Sequence, residues 1–241
     1  MIQVVEWFFG RGLSMGCGLD WNVPKHWKAL RREEQVTKIK SVIPQEMSKT
    51  HIVTRDIVMF LDILADQTAR GWQHRFHTTN WDYLLQREVS RRFPVGTIKP
   101  WWLASSQVYH HNGTAETPPG DTFRSQLLLE TDPQAARRLS PESDSAFEKL
   151  INSRLFVVVG MSFECAVDRF LFKALKHVQE DCPVGESCWI VVNPSTSTLR
   201  ETHSNILDAL PAATVCTLRT DFGSWLRSKL PELIKRGALT C

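Results

Sequence analysis

Nowhere in its 241 residues does the chain carry a run of about 18 apolar residues, so no segment reads as a transmembrane helix. Its first apolar run follows no basic segment and leads straight into glycines, which reads as a strand rather than a signal peptide. The six cysteines, at 17, 165, 182, 188, 216 and 241, form no C-x-x-C pair. The closest two, Cys182 and Cys188, have five residues between them, which suits neither structural zinc nor a disulfide framework, and a reducing cytoplasm is the expected location. Charge of one sign is also scarce. The formal net charge is +3, and the longest basic stretch, Lys25 to Lys40, is interrupted by Glu33 and Glu34. Such a stretch is an ordinary solvated helix face, and no direct nucleic-acid contact is expected from it. Internal repeats and long low-complexity segments are missing as well.

What is present suits one α/β domain over residues 1–241: 42% hydrophobic residues are enough for a core, and 23% charged residues argue against long disorder. Val4 to Phe9 reads as a buried parallel strand. Pro24 can open a helix whose Trp27, Leu30, Val36 and Ile39 fall near one stripe and which Pro44 ends or kinks. Ile57, Val58, Leu61, Leu64 and Ala65 repeat at helical spacing between Thr54 and Arg70, with Gly71 as the cap. Strand "QHRFHTTN" precedes helix "WDYLLQREVSRRF", and strand "LFVVVGMSF" precedes helix "ECAVDRFLFKALKHV". "CWIVVNP" and "ATVCTLRTD" are further strands, the second followed by the helix "FGSWLRSKLPELIKRG". Residues 112–121, "NGTAETPPGD", form the clearest loop. This alternation predicts a doubly wound parallel sheet with helices on both faces and a small helical cap at about 25–70.

The stretch "VVEWFFGRGLSMGCG" admits two chemistries. Gly12-Leu13-Ser14-Met15-Gly16 fits the G-x-S-x-G nucleophile elbow, and Gly10-Arg11-Gly12 after a strand fits a phosphate-binding turn. An elbow needs an earlier strand to supply its oxyanion hole and a helix directly behind it. Only 13 residues precede Ser14, and "CGLDWNVP" after it reads as loop, so the hydrolase reading is set aside. The G-x-G-x-x-G fingerprint fits imperfectly too, because Met15 stands where the third glycine belongs.

Ligands of open parallel sheets bind beyond the C-terminal strand ends. There the sequence gathers Gly10 to Ser14, Thr78-Thr79-Asn80-Trp81-Asp82, His110-His111-Asn112-Gly113, Gly160-Met161-Ser162, Asn193-Pro194-Ser195 and Thr220-Asp221. Each group also has a plainer role open to it. Asn80 and Ser162 suit helix caps, Asp82 suits a first helical turn, and Trp21 and Trp81 suit the core.

In their order, these motifs resemble the sirtuin-like superfamily, in particular its bacterial domains without the zinc module, over residues 4 to 222. The resemblance implies a Rossmann-like domain that takes NAD as substrate, needs no metal, and cleaves the nicotinamide–ribose bond. Sirtuins proper add a Cys₄ zinc module and deacylation, for which this chain lacks the cysteine pairs. The zinc-free relatives imply an NAD+ hydrolase of anti-phage defence that is activated by assembly or by a partner such as a HerA-like ATPase or an Argonaute-type protein. With the chain ending at this domain, the trigger would come from another polypeptide or from a homo-oligomer. The C-terminal Trp225, Leu226, Leu230, Leu233 and Ile234 suit core packing or a subunit contact.

By position, the resemblance implies that the amides of Gly10, Gly12 and Ser14 cradle the pyrophosphate, that Gly160 and Ser162 contact phosphate or ribose, that Asn193 holds a ribose, and that Asp221 approaches adenine. Asn80 takes the place of the catalytic Asn that orients water or the nicotinamide ribose, and Asp82 that of the acidic residue beside it. Two departures stand out. Arg11 replaces the usual Ala, where it would either contact phosphate or block the site. Asn112 occupies the slot of the catalytic His before Gly113. His110, two positions earlier on the same strand face, is the favoured stand-in as general base, with His111 as the alternative. A non-catalytic subunit that senses NAD or ADP-ribose is the competing function.

Overall fold

The computed structural model describes residues 4–93, 108–115, 127, 129, 155–161 and 187–235. Six strands form one parallel sheet: β1 (Val4–Phe9), β2 (Gln73–Thr78), β3 (Val108–His110), β4 (Leu155–Val159), β5 (Cys188–Val192) and β6 (Thr214–Leu218). Their order is β3-β2-β1-β4-β5-β6. This is the Rossmann order, in which connections run to opposite sides from β1 and leave a crevice between the C-terminal ends of β1 and β4.

The central strands are apolar because both their faces are covered. From β1, Val5, Trp7 and Phe9 enter one core with Phe76, Val157 and Ile190. Phe8 points the other way and joins Phe156, Val158, Trp189 and Val191. The first core is closed by α1 (Arg11–Gly16), α2 (Arg32–Met47), α3 (Arg55–Ala69), α4 (Leu84–Arg92), α6 (Phe222–Ser228) and α7 (Leu230–Lys235). In α3 the buried Ile57, Phe60, Leu61 and Leu64 follow the helical stripe, and Gly71 sits behind it at φ 90°. The second core is closed by α5 (Thr196–Ala209), through Leu199, Ile206 and Ala209.

Several local expectations are corrected. Pro24 caps only a 3-10 turn, Lys25–Ala29, and the extended backbone of Leu30 and Arg31 delays α2 to Arg32. Of the expected stripe only Ile39 is fully buried, now with Ile43 and Met47. Pro44 lies inside α2, in its last turn, and does not end it. The last predicted helix is two, broken at Lys229 ahead of Pro231. Its Trp225, Leu226 and Leu230 lie wholly in the core. Helix α5 has no counterpart among the expectations, although Ser195, whose hydroxyl accepts from the Thr198 amide, is an ordinary N-cap signal. Cys188 is disulfide-bonded, against the expectation of no disulfide, whereas Cys17 and Cys216 are free. Ser162 and the segment "ECAVDRFLFKALKHV" fall outside the described residues.

Candidate functional site

The turn after β1 is a short helix, not a glycine loop. Gly10 extends the strand, and α1 starts at Arg11. The Gly10 amide donates to the Val159 carbonyl at 3.0 Å, the Gly12 amide to the Gly160 carbonyl at 2.9 Å, and the Gly160 amide to the Val192 carbonyl at 3.0 Å. These bonds carry the sheet ladder past the strand ends and hold the ends of β1, β4 and β5 together. Here the cradle expectation is corrected, because the Gly10 and Gly12 amides already have backbone partners. The glycines are needed for contact between backbones. A Cβ on Gly12 would lie 2.7 Å from the Gly160 Cα, and one on Gly160, at φ 61°, would lie 2.7 Å from the Gly12 Cα.

Beside this contact lies a hydrogen-bonded polar cluster. The Asn80 Nδ2 donates to Ser14 Oγ at 2.9 Å and to the Gly10 carbonyl at 3.1 Å. Ser14, itself buried, donates its hydroxyl to Asp82 Oδ2 at 2.7 Å. Thr78 holds the segment in place: its hydroxyl donates to the Phe9 carbonyl and accepts from the Asn80 amide. Asn80 is therefore not a helix cap. The Asp82 Oδ1 accepts from the Leu84 amide at the start of α4. Loss of water pushes the Asp82 carboxyl above its usual range, against the opposing pull of the Ser14 hydroxyl and the Leu84 amide. Burial, with Asp82 nearby, pushes the Cys17 thiol up to about 12, so it is no nucleophile.

Strand β3 ends at His110, so strand alternation does not extend to Asn112. His110 is buried in register with Thr78, on the face that carries Val108. The His111 amide donates to the Thr78 carbonyl at 2.9 Å. Asn112 Nδ2 donates to the Thr79 carbonyl at 3.0 Å, and Gly113 turns the chain at φ 72°. The slot expected for a catalytic histidine thus holds a carboxamide hooked to the residue before Asn80.

The remaining predicted residues lie to the sides. Asn193 is buried; its Oδ1 accepts from the Ser195 amide at 2.9 Å, an Asx turn leading into α5. Asp221 caps α6, with one oxygen on the Ser224 amide and the other on its hydroxyl, and these bonds hold its carboxyl below the usual range. Arg11 is turned to solvent and pairs with Asp20 at 2.6 Å. The structure thus brings together Gly10, Gly12, Ser14, Asn80, Asp82 and Gly160, and leaves Arg11 and Asp221 in surface contacts of their own. Among the described residues, no group of three or more His, Cys, Asp or Glu could hold a metal ion, and no helix is long and apolar enough to cross a membrane.

Sequence reasoning missed one buried constellation. Glu6 lies in β1, fully buried, with Arg75 and His77 of β2 against its two oxygens and His111 beyond His77. Its signal was a carboxylate inside an otherwise apolar strand, a residue type almost never buried without partners.

No protein-family model and no curated protein matches the sequence. Among solved structures, one described as the structural basis for the mechanism and regulation of Sir2 enzymes is similar over 98% of this chain and 93% of that chain, with a TM-score of 0.53 and 16% identity. Another, Sir2 bound to acetylated peptide, is similar over 98% and 94%, with a TM-score of 0.47 and 15% identity. At such identity the first match establishes a sirtuin-like fold.

Proposed function

We propose that this sirtuin-like chain binds NAD+ as substrate and hydrolyses its nicotinamide–ribose bond. The observation that carries the reading is the Asn80–Ser14–Asp82 cluster at the crevice of the sheet, where the fold places ligands. Its polar side chains are fixed by mutual hydrogen bonds before any substrate arrives, so little ordering remains to be done in the reaction. In this reading Asn80 orients water or the nicotinamide ribose, and Asp82, through Ser14, holds Asn80 in place. Asn193 and Gly160, at neighbouring strand ends, border the rest of the dinucleotide. The reaction consumes NAD+ and water and yields ADP-ribose, nicotinamide and a proton. Uncontrolled, it would deplete a cell of NAD, which suits a defence enzyme that a partner or self-assembly switches on.

Release of nicotinamide from NAD+ by the purified protein tests the reading directly. Asn80→Ala is expected to lower turnover by about 10² or more, in the range of lost positioning. Unchanged turnover in that variant would refute the catalytic assignment. A second reading, a non-catalytic sensor of NAD or ADP-ribose, is favoured by Asn112, whose carboxamide cannot take up a proton. Tight NAD binding without turnover, alone or with candidate partners, selects it.

A further inference from the structure

Helix α3 is apolar on two sides. Its inner stripe, Ile57, Phe60, Leu61 and Leu64, is buried in the first core. Its outer side carries Val58, 41% exposed, with Met59 and Ile63 half-buried beside it. A surface helix ordinarily turns polar residues outward. Here the three apolar side chains floor an open groove whose rim is Arg55, Asp62 and Asp66 of α3 and Arg92 of α4.

The rim charges do not suit a helix left to itself. Arg55 is the first residue of α3 and Asp66 lies in its last turn, so each stands at the end of the macrodipole that repels it. Both are exposed, and neither has an ion-pair partner among the described residues. Asp62, by contrast, is paired with Arg92 at 2.6 Å.

Turned end for end, this stripe complements itself. In a two-fold pair of antiparallel α3 helices, the register that sets Met59 against Ile63 of the second copy also brings Arg55 to Asp66 and covers Val58. Two-fold symmetry makes every such contact twice. Each Arg55 then lies over the C-terminal end of the opposite helix and each Asp66 over its N-terminal end, where the dipole attracts instead of repelling. Asp62 enters the contact with its charge already balanced by Arg92.

We propose that the outer face of α3 is the centre of a two-fold interface between two copies of this chain. The interface does not depend on the hydrolase reading. The 15 residues of α3 span about 22 Å, and a strip of that length falls short of the roughly 800 Å² per partner of a standard interface. The dimer is therefore weak and concentration-dependent.

Sedimentation equilibrium of the whole chain over a concentration series, combined with charge reversal, tests this. Arg55→Asp leaves the stripe acidic at both ends, and Asp66→Arg leaves it basic at both ends. Each variant then repels its own copy, and its dimer Kd should rise at least about ten-fold over wild type. An equimolar mixture of the two variants should associate about as well as wild type, because acidic ends then face basic ends twice. The double variant Arg55→Asp, Asp66→Arg should do the same alone. Both residues are exposed, and both reversals suit the macrodipole, so the fold is not at stake. Single variants that associate as tightly as wild type, or a mixture that associates no better than its components, overturn the interface. A wild type still monomeric at about 200 µM overturns it too, and leaves the groove to a partner of different sequence.

Discussion

Alanine substitution at four glycines separates the backbone contact that shapes the site from simple conformational strain. Gly160 adopts φ 61°, and its added Cβ would lie 2.7 Å from the Gly12 Cα, 3.0 Å from the Gly12 carbonyl carbon and 3.1 Å from the Leu13 amide. Left-handed backbone costs a non-glycine residue about 1–2 kcal/mol. Overpacking against backbone, which cannot rotate away, costs about 1–3 kcal/mol more. Gly160→Ala is therefore expected to destabilise by about 2–5 kcal/mol, a large share of a usual folding stability. Gly12→Ala meets only the overlap, its Cβ lying 2.7 Å from the Gly160 Cα, and should cost about 1–3 kcal/mol. Gly71 has φ 90° but nothing within 4 Å, so its alanine should cost strain alone, about 1–2 kcal/mol. Gly16, in α1 with open space around it, should be neutral or gain up to about 1 kcal/mol. Urea unfolding of the four variants, at constant m, gives the ranking. If Gly160→Ala proves no worse than Gly71→Ala, the contact between the ends of β1 and β4 does not constrain the fold as argued.

Three further outcomes follow from the same structure. Because burial raises the Asp82 pKa in the fold, its share of stability is present below the usual 3.8 and lost as pH rises through the raised value. Asp82→Asn, which still offers Ser14 an acceptor, should melt higher than wild type at pH 7, with the gain vanishing below about pH 4; equal melts at pH 7 would contradict this. His74, whose Nδ1 accepts from Trp7 Nε1 at 3.1 Å, is pushed from 6.5 down to about 3 by burial, so it favours the fold above 6.5 and that share is lost as pH falls toward 3. Stability measured by urea should fall by about 1.4 kcal/mol per pH unit across that window from this group, and His74→Gln should flatten the profile; parallel profiles would show that His74 is not the source. Asp221→Ala removes both bonds to Ser224 and should cost about 1 kcal/mol of cap stability in thermal melts while leaving NAD affinity unchanged; lost affinity would return Asp221 to the nucleotide site.

Much of this architecture was legible in the sequence. The apolar runs at Val4–Phe9, Leu155–Val159 and Cys188–Val192 read as buried strands because each is too short and too β-branched for a helix. The stripe of Ile57, Leu61 and Leu64 defined α3, and the polar residues at strand ends marked the neighbourhood of Ser14, Asn80 and Asp82. These signals lie within single segments, where side-chain period and turn chemistry act on near neighbours. Helix boundaries were less legible at Arg32 and Lys229, where extended or broken backbone interrupts patterns that look continuous.

What the sequence by itself determined is the set of elements and the edge of the sheet at which polar groups gather. Tertiary structure alone decided how those groups are used. Ser14 bonds to Asp82 across 68 positions, Glu6 to Arg75 and His77 across 69 and 71, and Gly12 meets Gly160 only once β1 and β4 lie side by side. No local pattern encodes such pairs. A buried carboxylate or a glycine shows that a partner or a close contact is required, and only strand order and register determine which residue provides it.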